Sequence, residues 1–364
     1  MSCKVAFQKS KLMRPFQKIT ILLIFTAFAA GFSACMKEGD TTSAAGKRAV
    51  EIANSIPKLL DRAEALRYGT EWDNVQNHYG KNKAKLIADP DDKEAWLNLA
   101  ELFIQEARVT GEHPHYYPAA LQVLDVMLSK KFNLGDIKEQ DLQFRGLTAK
   151  ASVLLSQHEF AKALETGEQA LKLNPYNSGI YGVLVDANVE LGRYPEAVEM
   201  ADKMVGIRPD MRSYSRISYL REIHGDVPGS LEAMNMAVEA CMPGTEQAAW
   251  TRFTLGNLLR HYGKPKEAEM QYQQILEERP GYPFALAALG DLELEKKNYA
   301  KAEELLNKAA AVIPEVGFYE SLAKIYKATG RQAEFEKTSQ EVIGMMKEDE
   351  ASGHNMDLEF ANVY

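Results

Sequence analysis

The chain has 364 residues, of which 46% are hydrophobic and 26% are charged, and its formal net charge at pH 7 is −8. This balance supports a folded protein with a sizeable core and excludes a largely disordered chain. An acidic chain also lacks the basic surface that phosphate binding needs, so we expect no nucleic-acid partner.

Residues 1–34 have the composition of an export signal. A basic head ends at Lys18, and the apolar run ITILLIFTAFAAGF (19–32) follows it. The run is shorter than the roughly 20 residues of a membrane-spanning helix. The order of basic head, apolar run and small residues is typical of a secretory signal. Translation starts at Met1 or Met13, because every part of such a signal follows Met13.

The stretch FSAC (32–35) resembles the lipobox of bacterial lipoproteins, although Phe32 replaces the usual aliphatic residue. The resemblance implies that Cys35 is lipidated, that 1–34 are removed, and that 35–47 form a flexible tether. It also implies a place in the cell envelope, on the periplasmic or outer surface of the outer membrane, with the lipid as the membrane contact. The alternative is an ordinary signal peptide that leaves Cys35 as a thiol.

The cysteine content predicts a fold without internal disulfides. The chain has three cysteines, of which Cys3 falls in the predicted signal and Cys35 at its end. Only Cys241 then remains in the body of the protein, and one cysteine cannot form an internal disulfide. The fold therefore depends on packing alone.

The body of the chain repeats with a period near 34 residues. A small residue recurs inside a similar motif at spacings of 34, 33, 38 and 34 residues, at Ala163, Ala197, Ser230, Ala268 and Ala302. A proline closes most of these motifs because proline cannot continue a helix. An earlier segment in each period has apolar residues three and four apart, which is the helical period. No segment alternates with period two, so we expect no strand.

These motifs resemble the tetratricopeptide repeat, a helix pair of about 34 residues. In the repeat 281–314 the matching residues are Leu289, Gly290, Tyr299, Ala302 and Pro314. The resemblance covers about 95–345. It implies an all-α fold, in which antiparallel helix pairs stack into an α-solenoid with a right-handed superhelix.

The predicted repeat domain extends over 48–350 and has about eight helix pairs. The first pair, over 48–90, follows the pattern poorly, as a capping repeat does. Residues 351–364 form a predicted C-terminal tail. Within the domain, we expect Ala268 and Ala302 to be buried where two helices approach closely.

No catalytic signature is present in the sequence, so we predict that the protein is not an enzyme. The patterns G-x-S-x-G, H-E-x-x-H and C-x-x-C are absent. The stretch EHPHYYP contains His113 and His115, and we interpret it as a mobile loop inserted into a repeat. Two histidines without a third ligand do not make a metal site. We therefore predict no metal and no cofactor.

In the resembling family the ligand lies on the concave side of the solenoid. In the helix near Trp250, Leu255, Gly256 and Leu259 form a packing stripe, and a second stripe lies on another side. Extending the second stripe to the neighbouring repeats predicts a groove of Arg212, Ser215, Tyr219, Trp250, Phe253, Asn257, Arg260, Phe284 and Asp291.

Exposed aromatic residues with arginine are typical of binding hot spots, and the arginines predict an acidic, apolar ligand segment. The alternative is that Trp250 and Phe284 merely pack between repeats.

The main functional hypothesis is a non-enzymatic, lipid-anchored scaffold that binds a peptide or protein segment in the cell envelope. It would act within an envelope assembly or secretion complex. The alternative is a surface lipoprotein that binds a glycan or nutrient beside an outer-membrane transporter. The aromatic residues from His113 to Tyr117 would then be its binding loop.

Overall fold

The computed structural model describes residues 44–356, and the chain divides into two compact units, Met1–Glu51 and Ile52–Tyr364. The predicted signal and Cys35 lie outside the described residues, as do residues 357–364 of the predicted tail. Of the first unit, the structure describes only the beginning of one helix. That helix begins at Ala44, so the end of the predicted tether is helical.

The described part of the chain contains sixteen α-helices and no strand between residues 44 and 356. The helices are α1 (Ala44–Ser55), α2 (Glu71–Ala88), α3 (Lys93–Thr110), α4 (His113–Leu128), α5 (Ile137–Ser156), α6 (Phe160–Leu173), α7 (Ser178–Glu190), α8 (Tyr194–Ile207), α9 (Met211–Ile223), α10 (Val227–Glu239), α11 (Glu246–His261), α12 (Pro265–Glu278), α13 (Pro283–Glu295), α14 (Tyr299–Ala310), α15 (Val316–Ala328) and α16 (Gln332–Ala351). Within this range no helix is long and apolar enough to cross a bilayer.

Seven antiparallel helix pairs form the body of the second unit. Each odd-numbered helix from α3 to α15 packs on the helix that follows it, and each pair packs on the next pair. Most odd-numbered helices also contact the next odd-numbered helix, so together they form one side of the array. We call this side the inner face. The arrangement confirms the predicted α-solenoid of helix pairs.

Small residues occupy the close contacts within the pairs. All five residues of the repeating register, from Ala163 to Ala302, are fully buried. Gly256 lies against the ring of Tyr272, where a Cβ would overlap the ring. A Cβ on Gly290 would lie 2.9 Å from Cγ of Leu306. The predicted burial of Ala268 and Ala302 is thus confirmed.

Enlarging these buried alanines tests the packing. We expect Ala268→Leu and Ala302→Leu each to lower the free energy of unfolding by about 1–3 kcal/mol, because a close-packed contact has no room for three more carbons. Ala300→Leu is the matched control, since Ala300 lies on the same helix as Ala302 and is exposed. Urea unfolding followed by circular dichroism measures all three. Equal effects at Ala300 and Ala302 would contradict the packing.

The predicted helix boundaries are confirmed where glycine and proline mark them. Gly192 and Gly330 follow α7 and α15 in the left-handed conformation, with φ of 72° and 73°. Helices α6 and α14 end shortly before Pro175 and Pro314. A left-handed glycine stops a helix without a steric penalty, and proline lacks the N–H that a further turn needs.

The prediction of a mobile loop at 112–118 is wrong. Helix α3 ends at Thr110 and α4 begins at His113, so the inserted residues lengthen the two helices. These helices have 18 and 16 residues, against 13 and 14 in α7 and α8. Pro114 lies in the first turn of α4, where a missing N–H costs nothing. The tyrosines of this stretch, Tyr116 and Tyr117, are buried.

The first predicted helix pair, over 48–90, does not form a helical hairpin. An irregular segment, 56–70, separates α1 from α2 and contains one 3₁₀ turn, Glu64–Leu66. We call residues 56–70 the strap. Its Leu60 N–H donates to Oη of Tyr116 on α4 at 3.0 Å.

The far end of the strap reaches the last repeats. Leu66 is buried in a cluster that includes Ala287, Ile313 and Phe318, which belong to α13, to the turn after α14 and to α15. The strap therefore joins the first repeat of the array to its last repeats.

A buried ion pair holds the strap on α3. The guanidinium of Arg62 donates to both carboxylate oxygens of Glu106, from Nε at 2.8 Å and from Nη2 at 2.6 Å. Both side chains are fully buried. Nη1 of Arg62 lies 3.8 Å from Glu71, whose other oxygen lies 2.9 Å from Nη1 of Arg279. This network links the strap to the end of α12.

A second contact joins the two ends of the array. Helix α16 packs on α4, and the N–H of Asn355 donates to the carbonyl oxygen of Gln157 at 3.2 Å. The rings of His113 and His354 lie 6.3 Å apart, centroid to centroid. We call the contact between the start of α4 and the residues from Asp349 to Asn355 the seam.

Candidate binding surface on the inner face

Two neighbouring hollows open on the inner face between α9 and α15. The larger, hollow A, has a volume of about 660 Å³ and is lined mainly by α11, α13 and the beginning of α15. The smaller, hollow B, has a volume of about 440 Å³ and is lined by α9, α10 and α11. Asn257 and His261 line both hollows, which are therefore adjacent.

Eight of the nine predicted groove residues line these hollows. Hollow A is lined by Phe253, Asn257, Arg260, Phe284 and Asp291. Hollow B is lined by Ser215, Tyr219, Trp250 and again Asn257. The first helices of successive pairs lie side by side in the same register. Residues three and four apart on each helix therefore form one continuous surface.

Arg212 lines neither hollow, so the structure does not bring it together with the other eight residues. It lies in the first turn of α9, where its carbonyl oxygen accepts hydrogen bonds from Arg216 and Ser215. Burial lowers the pKa of Arg212, and the neighbouring positive charges of Arg108 and Arg216 lower it further. Of the two arginines in the predicted groove, Arg212 therefore lies apart from hollows A and B.

Arg260 is already paired within the chain. Its Nη1 lies 3.1 Å from Asp291, and its Nη2 lies 2.7 Å from Glu295. Burial lowers the pKa of Arg260, the two ion pairs raise it, and the ion pairs prevail. Asp291 also accepts a hydrogen bond from Ser321 Oγ at 2.7 Å. The guanidinium that we expected to meet an acidic ligand therefore has two carboxylates of its own.

The aromatic residues form a continuous series along the hollows. The ring of Trp250 lies 5.4 Å from that of Phe253 and 5.4 Å from that of Phe284, and Phe284 contacts Phe318 at 5.9 Å. Trp250 thus packs between repeats, yet its side chain remains 48% exposed. Tyr219 is equally exposed across hollow B. Trp250 therefore packs between repeats and still has an open surface, and its role in ligand binding stays a prediction.

Several residues of the hollows were absent from the predicted groove. Glu222 and Glu295 lie one turn beyond Tyr219 and Asp291 on the same helix faces, and Phe318 stands one repeat length after Phe284. Extending the register by a turn and by a repeat would have found all three. The methionines of hollow B, Met211 and Met234, carry no such signal because methionine fills cores and surfaces alike.

The structure assigns no chemistry to the histidines near the start of α4. Nε2 of His115 lies 2.8 Å from the carbonyl oxygen of Lys58, whereas the ring of His113 stacks on Tyr117 at 5.1 Å. Over the described residues, no three His, Cys, Asp or Glu side chains are placed together to hold a metal ion.

Comparison with known proteins agrees with the helix pairs. The family model described as tetratricopeptide repeat matches residues 154–222 and 259–325. No curated protein is a significant match to the sequence. A tetratricopeptide repeat protein from Parabacteroides merdae superposes with a TM-score of 0.51 at 15% identity, covering 77% of this chain and 98% of that one.

Two further solved structures are similar over a shorter part of the chain. PilF from Pseudomonas aeruginosa gives a TM-score of 0.45 at 12% identity and covers 57% of this chain and 93% of its own. The protein TTC0263 from Thermus thermophilus gives 0.44 at 20% identity and covers 57% and 97%. At these identities, the Parabacteroides structure supports the fold alone. The family match therefore covers two stretches of the chain, and in both of them the structure consists of the helix pairs of an α-solenoid.

Proposed function

We propose that this chain is a non-enzymatic scaffold that binds an extended segment of a partner protein in hollows A and B. A lipid on Cys35 holds it at the outer membrane of a bacterial cell, where it acts within an envelope assembly or secretion complex. The observation that carries the binding proposal is the pair of adjacent hollows on the inner face, with Trp250 half exposed in hollow B.

Two polar groups in the hollows are bound within the chain, which favours a binding site over a catalytic site. Arg260 is bound to two carboxylates, and Oη of Tyr272 donates to Asn257 at 2.7 Å. Both groups are therefore engaged within the chain. Adjacent open hollows with aromatic walls instead suit a chain segment whose successive side chains enter one hollow after the other.

We do not propose the glycan-binding alternative. It relied on aromatic residues displayed by a loop at 113–117, and in the structure this stretch is the first turn of α4. Tyr116 and Tyr117 are buried there, so they offer no stacking surface to a sugar ring.

Truncation of the half-exposed tryptophan tests the proposed function. We expect Trp250→Ala to weaken partner binding by about 2 kcal/mol, because it removes the largest apolar surface that faces hollow B. Partners cross-linked to the chain in envelope membranes and quantified by mass spectrometry give the measurement. Tyr176→Ala is the matched control, since Tyr176 is 85% exposed in the turn between α6 and α7. Equal recovery with both variants would overturn the binding site.

The lipid anchor is tested separately. We expect Cys35→Ala to move the protein into the soluble fraction or to leave it unprocessed, because no other cysteine follows the apolar run closely. Mass spectrometry of the wild-type protein is the direct measurement. An unmodified Cys35 inside an intact mature chain would disprove the anchor and leave the binding proposal untouched.

A further inference from the structure

Negative charge exceeds positive charge in the two hollows. Hollow A contains Arg260 with Asp291 and Glu295, so one carboxylate charge is left uncompensated. Hollow B contains Glu222, which accepts a hydrogen bond from Oη of Tyr262 at 3.1 Å. Among residues 44–356, no lysine or arginine forms an ion pair with Glu222.

Aromatic faces stand beside this carboxylate. Tyr219 and Trp250, each about half exposed, line hollow B together with Glu222. Burial raises the pKa of the Tyr219 phenol, and the nearby carboxylates of Glu190 and Glu222 raise it further, which places negative charge on this side of the hollow. An aromatic face next to a carboxylate binds a cation well, because the ring quadrupole and the negative charge attract it together.

We propose that the occupant of the hollows is a basic and apolar segment of a partner protein, in which a lysine or arginine stands next to an aromatic or long aliphatic side chain. This inference rests on the proposed function and names the chemistry of its ligand. The apolar side chain packs on Trp250, Met211 and Met234 in hollow B. The cation is attracted by Glu222 and by the uncompensated charge at Glu295.

Charge complementarity argues against an acidic segment. An acidic side chain entering hollow B would meet Glu222 without a cation to offset the repulsion. In hollow A it would have to compete with Asp291 and Glu295 for Arg260, whose pairs are already at 3.1 and 2.7 Å. Juxtaposed like charges suppress wrong partners, whereas complementary charges speed and orient binding.

Selection from a random peptide library tests the inference. The probe is a phage-displayed library of short random peptides, selected on the purified full chain in detergent. We expect the selected peptides to be enriched in lysine or arginine adjacent to aromatic, leucine or methionine residues. Their affinity, measured with synthetic copies by fluorescence anisotropy, should fall as salt concentration rises, because ions screen the attraction. Enrichment of acidic or uncharged peptides would overturn the inference.

Two matched variants test whether the charge of Glu222 contributes to peptide binding. Glu222→Gln removes the charge but keeps a carbonyl oxygen that accepts from Tyr262. We expect this substitution to weaken the affinity for the selected peptides about fivefold, which is the upper range for a partly exposed ion pair. Glu277→Gln is the control, since Glu277 is exposed on α12 and lines neither hollow. Equal affinity for both variants would contradict a role of Glu222.

The outcomes separate this inference from the proposed function. One outcome would overturn the charge inference alone. In it, the selected peptides bind Trp250→Ala about 30-fold more weakly than the wild type, but they are acidic or their affinity is unchanged by Glu222→Gln. If no peptide is selected on the full chain, or if the selected peptides bind Trp250→Ala as well as the wild type, the proposed function fails and the inference fails with it.

Discussion

Glu106→Gln is expected to lower the free energy of unfolding by about 3–5 kcal/mol, the largest effect of any single substitution proposed for this chain. Glu106 accepts two hydrogen bonds from Arg62, and both side chains are fully buried. The neutral amide would remove the carboxylate that Arg62 contacts directly and would leave the guanidinium with only Glu71, at 3.8 Å, in a site that water does not reach. The loss reports the cost of an unpaired buried charge, so it exceeds the net contribution of the intact pair.

Helix α3 supplies a matched control for this substitution. Glu101 lies on the same helix and pairs with Arg145 at 2.8 Å, with both side chains partly exposed. Water solvates either partner when the other is removed. We therefore expect Glu101→Gln to cost no more than about 1 kcal/mol in the same urea titration.

The double variant Arg62→Met with Glu106→Leu completes the test. It removes both charges and keeps apolar volume in the buried site, so we expect it to recover most of the stability lost in Glu106→Gln. If Glu106→Gln and Glu101→Gln destabilise equally, the Arg62–Glu106 contact is not buried in the folded protein. Failure of the double variant to recover stability would instead mean that the polar geometry is needed to hold the strap.

Sequence periodicity predicted the repeats because their information is local. Each helix pair carries its own stripe of apolar residues, and a small residue such as Ala197 or Ala302 at a fixed place in its second helix. Irregular spacing was also informative. The longer step from Ser230 to Ala268 corresponds to α11, which has 16 residues where α9 has 13.

The strap was not predictable because its partners are far away in the chain. Leu66 packs with Ala287 and Phe318, and Glu71 pairs with Arg279 at the other end of the array. No local pattern encodes such a contact, since the strap has neither a helical period nor a repeat motif. The charges of Arg62 in the strap and of Glu71 just after it resemble those of surface residues until the fold shows what faces them.

The candidate site was predicted in position but not in charge. Register placed Trp250, Phe284 and six other residues on one surface, because neighbouring first helices repeat the same geometry. The ion pairing of Arg260 depends on Glu295, which belongs to the next repeat. A pattern of residue types does not say which of two opposite charges on adjacent helices pair and which remain open to a ligand.

Glu315→Gln is expected to raise the free energy of unfolding relative to the wild type, and to do so by about 2–3 kcal/mol more at pH 8 than at pH 5. Glu315 precedes α15 but makes no side-chain cap, and its Oε1 lies 3.1 Å from where a Cβ of Gly111 would be. Burial raises the pKa of Glu315 from 4.5 to about 7, and the carboxylate of Asp349 contributes to the rise. The folded state therefore binds this proton more tightly than the unfolded chain does.

The sign of the pH dependence follows from that difference. The stabilisation due to the Glu315 proton is fully present below pH 4.5 and is lost as the pH rises through 7. His113, at the seam, behaves in the opposite way. Burial lowers its pKa from 6.5 to about 4, with the nearby His354 adding to the shift. Its stabilisation is present above pH 6.5 and is lost as the pH falls through 4.

The two groups therefore offset each other in the wild-type protein between pH 4.5 and 6.5. Glu315→Gln should remove one side of this balance, so that the free energy of unfolding of the variant rises by about 2–3 kcal/mol between pH 4 and 7 through His113 alone. His113→Gln should give the reverse slope, because Glu315 then acts alone. Urea titrations at each pH measure these slopes. Glu168→Gln is the control, since Glu168 is exposed on α6. Parallel pH profiles for Glu315→Gln and the wild type would show that Glu315 is solvated in the folded protein, and that the turn between α3 and α4 does not cover it.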